Sequence, residues 1–273
     1  SQWRSEIVRF SGRTTQIVLG NGAERKEQYS SDAFFTICNY EQVLRDVTPI
    51  ESVAWDLIIL DEAHHARGRG SSEDGQIRPN ELLRLMDRLK EKTEGLVLMT
   101  ATPMQVHPRE VWDLLRLLGL PEEWTFTRFE RFFEETASSN PTAQEFEDMA
   151  SLFRALERDL GETLIEDVRR FVPTGSRIAA KRILDALKGT PEAPRKVLSI
   201  EDRKSALKAM KARSPVSRLI SRHTRELLRK YQAAGKLDSP IAVRDVSDEF
   251  VSMSQAEREA TRIDRDAARH LAP

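Results

Sequence analysis

The 273-residue sequence holds a single cysteine, Cys38, so no internal disulfide can form. A chain without a cysteine framework is expected in a reducing compartment, here the cytoplasm. No apolar run approaches the roughly 20 residues that a bilayer crossing requires, which leaves no candidate membrane span. No charged-then-apolar leader is visible after Ser1, so no secretory signal is expected, and the missing initiator Met suggests a fragment. Net charge is also nearly absent, at −1, which removes any argument for nucleic-acid binding from bulk charge. Its distribution is uneven: residues 121–170 carry 13 acidic and 6 basic side chains, whereas residues 176–230 carry 16 basic and 5 acidic. The second stretch is a solvated helical face or a surface that follows a phosphate backbone.

The length allows one large domain or a domain with a substantial insertion. Over the first 120 residues, short apolar runs alternate with helical spacing. Strands are predicted at 15–19, 33–38, 57–60 and 96–99, each rich in β-branched, aliphatic or aromatic residues and bounded by glycine or polar clusters. Helices are predicted at 40–46 and 80–92, the latter with Leu82, Leu83, Leu85, Met86 and Leu89 on one face. That alternation implies an α/β fold, a parallel sheet with helices on both faces. After Pro121 only helical patterns follow, at 128–135, 143–159, 163–171, 177–187, 201–212 and 216–233, with breaks at Pro173-Thr174-Gly175 and Gly189-Thr190-Pro191. A final strand at 249–253 and a charged helix after it complete the prediction. The expected division is 1–121 for the α/β part, 122–240 for a mainly helical insertion and 241–273 for a closing strand and helix. No internal repeat or low-complexity tract is present.

Chemistry concentrates where Leu57-Ile58-Ile59-Leu60 runs into Asp61-Glu62-Ala63-His64. In a parallel α/β sheet, ligands gather at the carboxyl ends of strands. An Asp there can hold Mg²⁺ through the ion's water shell, and an adjacent Glu can orient or deprotonate an attacking water, as phosphoryl transfer needs. His64 is placed to link this loop to the next strand end. Two acids alone could equally be an ordinary polar turn, but a second aliphatic run ends in Thr100-Ala101-Thr102-Pro103. His64 and His65 do not read as a metal pair, because adjacent histidines point to different faces and no further Cys or His stands at ligand spacing. Arg67-Gly68-Arg69-Gly70-Ser71-Ser72 reads as a mobile loop, or one whose arginines touch phosphate. Trp112, Leu114 and Leu115 read as packing of a helix on the sheet.

The two strand-end motifs together resemble motifs II and III of superfamily 2 helicases, and the surrounding residues resemble the Swi/Snf-type DNA translocases. Gln2-Trp3 with Glu6-Ile7 is similar to that family's QW motif, and Thr36 through Glu41 to its next motif. Thr102-Pro103-Met104-Gln105 with Val111 through Leu115, then Phe129 through Phe133, resemble the segments that follow. Leu219 through Glu226 and Val251 through Ser254 resemble segments near the entry to the second lobe. His223 stands where an Arg is usual and Thr261 where a Tyr is usual. Residues 222–241 and 245–251 look closest to bacterial members, including the helicase subunit of the DISARM antiphage-defence system.

The resemblance implies a RecA-like lobe acting with ATP and Mg²⁺ on double-stranded DNA, with no membrane partner and with defence-system or transcription partners. It implies catalytic roles for Glu62 and Asp61, nucleotide contacts from Asp61, His64, Thr100 and Thr102, and Mg²⁺ held by Asp61 through water. Trp3, Asn39, Tyr40 and Arg222 fall in motifs that flank the DNA-tracking face. The chain contains no G-x-x-x-x-G-K-[ST] loop. In the family that loop lies before the QW motif and the second RecA-like lobe, with its arginine finger, lies further on, so this chain alone is expected to be inactive. Two rivals remain: an ATP-independent RecA-like binding scaffold, and a superfamily 2 helicase that separates strands.

Overall fold

The computed structural model describes residues 2–69, 78–101, 107–138, 141–189, 198–221 and 225–237. The chain divides into two compact units, Ser1–Ser221 and Arg222–Pro273. In chain order the first unit runs α1 (Gln2–Ser11), β1 (Thr15–Ile17), α2 (Gly22–Tyr29), β2 (Phe35–Ile37), α3 (Tyr40–Arg45), α4 (Val47–Glu51), β3 (Trp55–Leu60), β4 (Gly68–Arg69), β5 (Arg78–Pro79), α5 (Glu81–Leu89) and β6 (Thr93–Leu98). It continues with α6 (Pro108–Leu117), α7 (Phe126–Ala137), α8 (Ala143–Leu160), α9 (Ile165–Arg169), α10 (Arg177–Lys188), α11 (Ile200–Ala212) and α12 (Pro215–Leu219). Within the second unit, α13 (Arg225–Ala233) is described. The predicted strand at 249–253 and the helix after it lie outside the described residues.

Helix starts follow the side chains that can satisfy orphan amides. Asn21, Asn39 and Thr142 form capping boxes with Glu24, Gln42 and Glu145. Asn80, Thr125, Ser176, Ser199 and Ser214 cap α5, α7, α10, α11 and α12 through a side-chain oxygen. The predicted helix over 216–233 differs from what is found: α12 and α13 occupy its two ends in different units. Among the described residues, no helix is long and apolar enough to cross a membrane.

The α/β character is present, but the sheet differs from the expected one. The described strands form two separate parallel pairs, β1–β2 and β3–β6, and a small antiparallel pair, β4–β5. In the longer pair Leu57 lies opposite Gly95, Ile59 opposite Val97 and Leu60 opposite Leu98. Side chains alternate between faces. Ile58, Leu60, Leu96 and Leu98 join a core with α5, whereas Leu57, Ile59 and Val97 are 49%, 46% and 42% exposed. Helices on both faces are therefore not found for this pair; among the described residues its second face stays open.

Two hydrophobic cores form, and α6 enters both. Leu114 and Leu117 pack into the core under the sheet with Leu83, Leu85 and Met86. Val111, Trp112 and Leu115 pack into a helical core around Trp124, Phe132 and Phe153. The two buried indoles are satisfied by carbonyls: Trp112 Nε1 donates to Trp124 O at 2.7 Å and Trp124 Nε1 to Leu152 O at 3.0 Å.

Candidate active site

Because β3 and β6 run in parallel, their carboxyl ends emerge at the same edge. The pairing continues past both strands: Met99 N donates to Leu60 O at 2.9 Å and Ala63 N to Met99 O at 2.8 Å. Asp61-Glu62 and Thr100 are thereby brought side by side. The turn that follows β3 is tight. Ala63 and Ala66 are fully buried, and His65 N and Ala66 N close a short 3₁₀ helix (Ala63–His65) onto Glu62 O and Ala63 O. Glu62 takes φ 47° and ψ 46°, the one positive φ at a non-glycine residue among the described residues. For a residue with a Cβ this left-handed conformation costs about 1–2 kcal/mol.

Each acid has defined partners. Asp61 Oδ1 accepts from Glu62 N at 2.9 Å, and Asp61 Oδ2 accepts from Trp3 Nε1 at 2.9 Å. His64 Nδ1 lies 3.2 Å from Glu62 Oε2 and 3.1 Å from Thr100 Oγ1, so one ring nitrogen joins the first strand end to the second. The Glu62 carboxylate is about half exposed, which leaves it open to water. The Tyr40 hydroxyl is buried and has no hydrogen-bond partner among the described residues, and its ring meets His65 edge-on at 5.8 Å. Burial first, then the charges of Asp61 and Glu62, push the Tyr40 phenol up to about 12.

The loop after His65 is pinned by elements that sequence reasoning assigned only to packing. Arg67 Nη1 meets Glu110 Oε1 at 2.7 Å, and Gly68 N donates to Asp113 Oδ2 at 2.8 Å, both acids lying on α6. Asn80 N donates to Arg67 O at 3.0 Å and Asn80 Nδ2 to His65 O at 2.5 Å, while Asn80 Oδ1 caps α5. The legible signal was two acids, Glu110 and Asp113, on an otherwise apolar stretch of helix; both are buried. Burial raises the Asp113 carboxyl above its ordinary value, against the opposing pull of the Gly68 amide, Arg109 and Arg116.

Of the residues singled out from sequence, the structure gathers Trp3, Asp61, Glu62, His64 and Thr100 into one bonded set. Asn39 lies apart from that set: its Oδ1 accepts from Gln42 N at 2.9 Å to start α3. Thr102 and Arg222 lie outside the described residues. Among the described residues, no cluster of three or more His, Cys, Asp or Glu groups forms a metal cage. Mg²⁺ needs none, because it keeps most of its waters and takes one or two carboxylates with substrate phosphates. Asp61 and Glu62, both oxygen donors at a strand end, fit that requirement.

In comparison with known proteins, residues 1–182 match the SNF2-related domain. The match runs through α8 and α9 into α10, where no motif is legible by eye. The chain is similar to the helicase Swr1 of Schizosaccharomyces pombe, 29% identical over 192 residues, covering 63% of this chain and 14% of that protein. It is 28% identical over 181 residues to the ISWI chromatin-remodeling complex ATPase ISW1 of Saccharomyces cerevisiae, covering 64% and 14%. It is 31% identical over 149 residues to the RNA polymerase-associated protein RapA of Erwinia tasmaniensis, covering 52% and 14%. The chain thus spans 14% of the length of each of these relatives.

Proposed function

The chain belongs to the SNF2-related domain family, and on that footing we propose that it supplies the Mg²⁺- and water-handling edge of an ATP-driven motor that tracks double-stranded DNA. Membership implies a RecA-like lobe for its α/β part. The observation that carries the proposal is the set Asp61, Glu62, His64 and Thr100, bonded across the ends of two parallel strands. Asp61 is the residue that would hold Mg²⁺, and the ion would supply charge neutralisation at the phosphates. Glu62, half exposed, orients the attacking water and accepts its proton. His64 fixes the Glu62 carboxylate and relays its position to Thr100. By resemblance to the family, Thr102 would share in coupling the nucleotide state to bound DNA.

Asn39, Tyr40 and Arg222 belong to the motifs proposed to flank the DNA-tracking face, where contacts go to phosphates and not to bases; Trp3 lies in such a motif too, but its indole is spent on Asp61. Tyr40, with its hydroxyl buried, acts beneath that face. A second RecA-like lobe and a phosphate loop complete the motor. The bacterial relative named RNA polymerase-associated protein favours a transcription partner over an antiphage one.

The test is DNA-stimulated ATP hydrolysis by the full-length protein with Glu62→Gln beside wild type. The variant should turn over 10²- to 10⁴-fold more slowly, the range general acid–base catalysis contributes. Equal rates would remove Glu62 from the mechanism, and a wild type without ATPase activity would leave the binding-scaffold reading. Displacement of a triplex strand without duplex unwinding is expected, and unwinding would favour the strand-separating helicase.

A further inference from the structure

The four tryptophans of this chain make different hydrogen bonds. The indoles of Trp55, Trp112 and Trp124 donate to the backbone carbonyls of Ile50, Trp124 and Leu152. Trp3 donates to a carboxylate instead, Asp61 Oδ2, 58 residues away along the chain. Yet Trp3 is 40% exposed, and α1 buries none of its residues: Val8 and Phe10 are 51% and 78% exposed. The long-range hydrogen bond of Trp3 ends on the acid that the proposed function assigns to the cation.

The geometry at Asp61 is closed from both sides. Oδ1 takes the Glu62 amide and Oδ2 takes the indole, so the plane of the carboxylate is fixed by one backbone donor and one side-chain donor. An indole N–H is a donor only, and it can serve Asp61 in no other way. Residues that orient a metal-binding side chain set its affinity without touching the ion. Resting on the proposed function, we infer that Trp3 is a positioning residue: its indole N–H fixes the Asp61 carboxylate in the orientation that receives the hydrated divalent cation.

Two measurements test this, and the first does not depend on activity. In a ¹H–¹⁵N spectrum of this chain, Trp3→Phe identifies the Trp3 indole signal, and Asp61→Asn should shift that signal while leaving those of Trp55, Trp112 and Trp124 in place. An unmoved Trp3 signal would show that the bond is not formed and overturn the inference. The second follows DNA-stimulated ATPase activity of the full-length protein against Mg²⁺ and against DNA. Trp3→Phe keeps an aromatic ring and removes the donor. It should raise the Mg²⁺ needed for half-maximal rate roughly tenfold, with kcat at saturating Mg²⁺ and the DNA requirement nearly unchanged. A rise in the DNA requirement with no change for Mg²⁺ would instead make Trp3 a DNA contact and overturn it. If the wild-type protein has no ATPase activity, the proposed function fails while the spectrum still decides whether Trp3 holds Asp61.

Discussion

Glu62 keeps a left-handed backbone that most side chains avoid, and that strain sits under the group assigned to the water. Glycine adopts φ 47° without a Cβ clash, so Glu62→Gly should raise the thermal stability of this chain by about 0.5–1 kcal/mol, after glycine's own entropy cost, while abolishing hydrolysis in the full-length protein. A thermal melt and an ATPase assay check the two halves. Two buried carboxylates, Asp46 and Asp113, give opposite pH signatures. Asp46 takes Arg25 Nε at 2.6 Å, Arg25 Nη2 at 2.7 Å and the Tyr29 hydroxyl at 3.1 Å, and the Arg25 bonds hold its carboxyl below the ordinary 3.8. Its contribution is present above that ordinary value and lost as pH falls through the lower folded value. Asp113 is raised by burial, so its contribution is present below 3.8 and lost as pH rises through the raised folded value. Asp46→Asn should therefore flatten the acid limb of a pH–stability profile, and Asp113→Asn should leave that limb and improve the profile above it. Urea unfolding at stepped pH reads both. Asp61 and Glu62 were legible because an aliphatic run ends on them; Asp46 was not, because its partner Arg25 lies 21 residues earlier on another helix.

At the scale of elements, α6 both joins the two cores and clamps the loop behind the acids. Glu110 and Asp113 reach Arg67 and Gly68 from one helix face, so a shift of α6 moves the turn that carries Glu62. Glu110→Gln weakens the charge-assisted bond, and Glu110→Ala leaves the clamp open. The alanine variant should lose about 1–3 kcal/mol, and a double-mutant cycle with Arg67→Met should return a coupling of at least about 0.5 kcal/mol. Independent, additive losses would detach the clamp from Arg67. The elements that sequence made legible were those with a local signal: β3 and β6 from their aliphatic runs, α5 and α8 from spacing and caps. α2 was missed because it is polar and begins on Gly22, and α4 because Pro49 lies inside it. Proline is tolerated there because first-turn amides have no helical partner. β4 and β5 are two residues each and are defined only by their pairing, which no local pattern announces. The open face of β3–β6 was hidden for the same reason: Leu57, Ile59 and Val97 read as buried until their surroundings are known.

Across the whole molecule, the surplus of basic residues at 176–230 reads in one dimension as a phosphate-binding tract, and the fold spends part of it internally. Lys188 meets Glu162 at 3.0 Å, Arg218 meets Glu157 at 3.3 Å, Arg182 meets Asp202 at 2.5 Å and Lys181 meets Asp185 at 2.7 Å. Glu157 and Glu162 come from the acid-rich stretch, so the helical part folds the two charge blocks onto each other. Arg218 also donates to the carbonyls of Leu156, Leu160 and Gly161 at the end of α8, which fixes it as a structural group and removes it from any binding face. The exposed pairs, Lys181–Asp185 and Lys188–Glu162, add little stability, yet each neutralises a charge where a phosphate would sit. The number of counterions released on binding duplex DNA reports how many cations remain available. Eleven free charges would give a slope of about −10 for the logarithm of affinity against the logarithm of salt concentration, and the nine left once Lys188 and Arg218 are spent on acids outside the stretch would give about −8. We expect this chain alone to bind a random duplex weakly, with a slope no steeper than about −8, measured by fluorescence anisotropy between 50 and 200 mM salt. A slope near −10 would mean that the basic helices face outward as one tract and that the DNA path runs over them. A shallow slope assigns the grip on DNA to the motifs around Asn39 and Arg222 and to the other lobe.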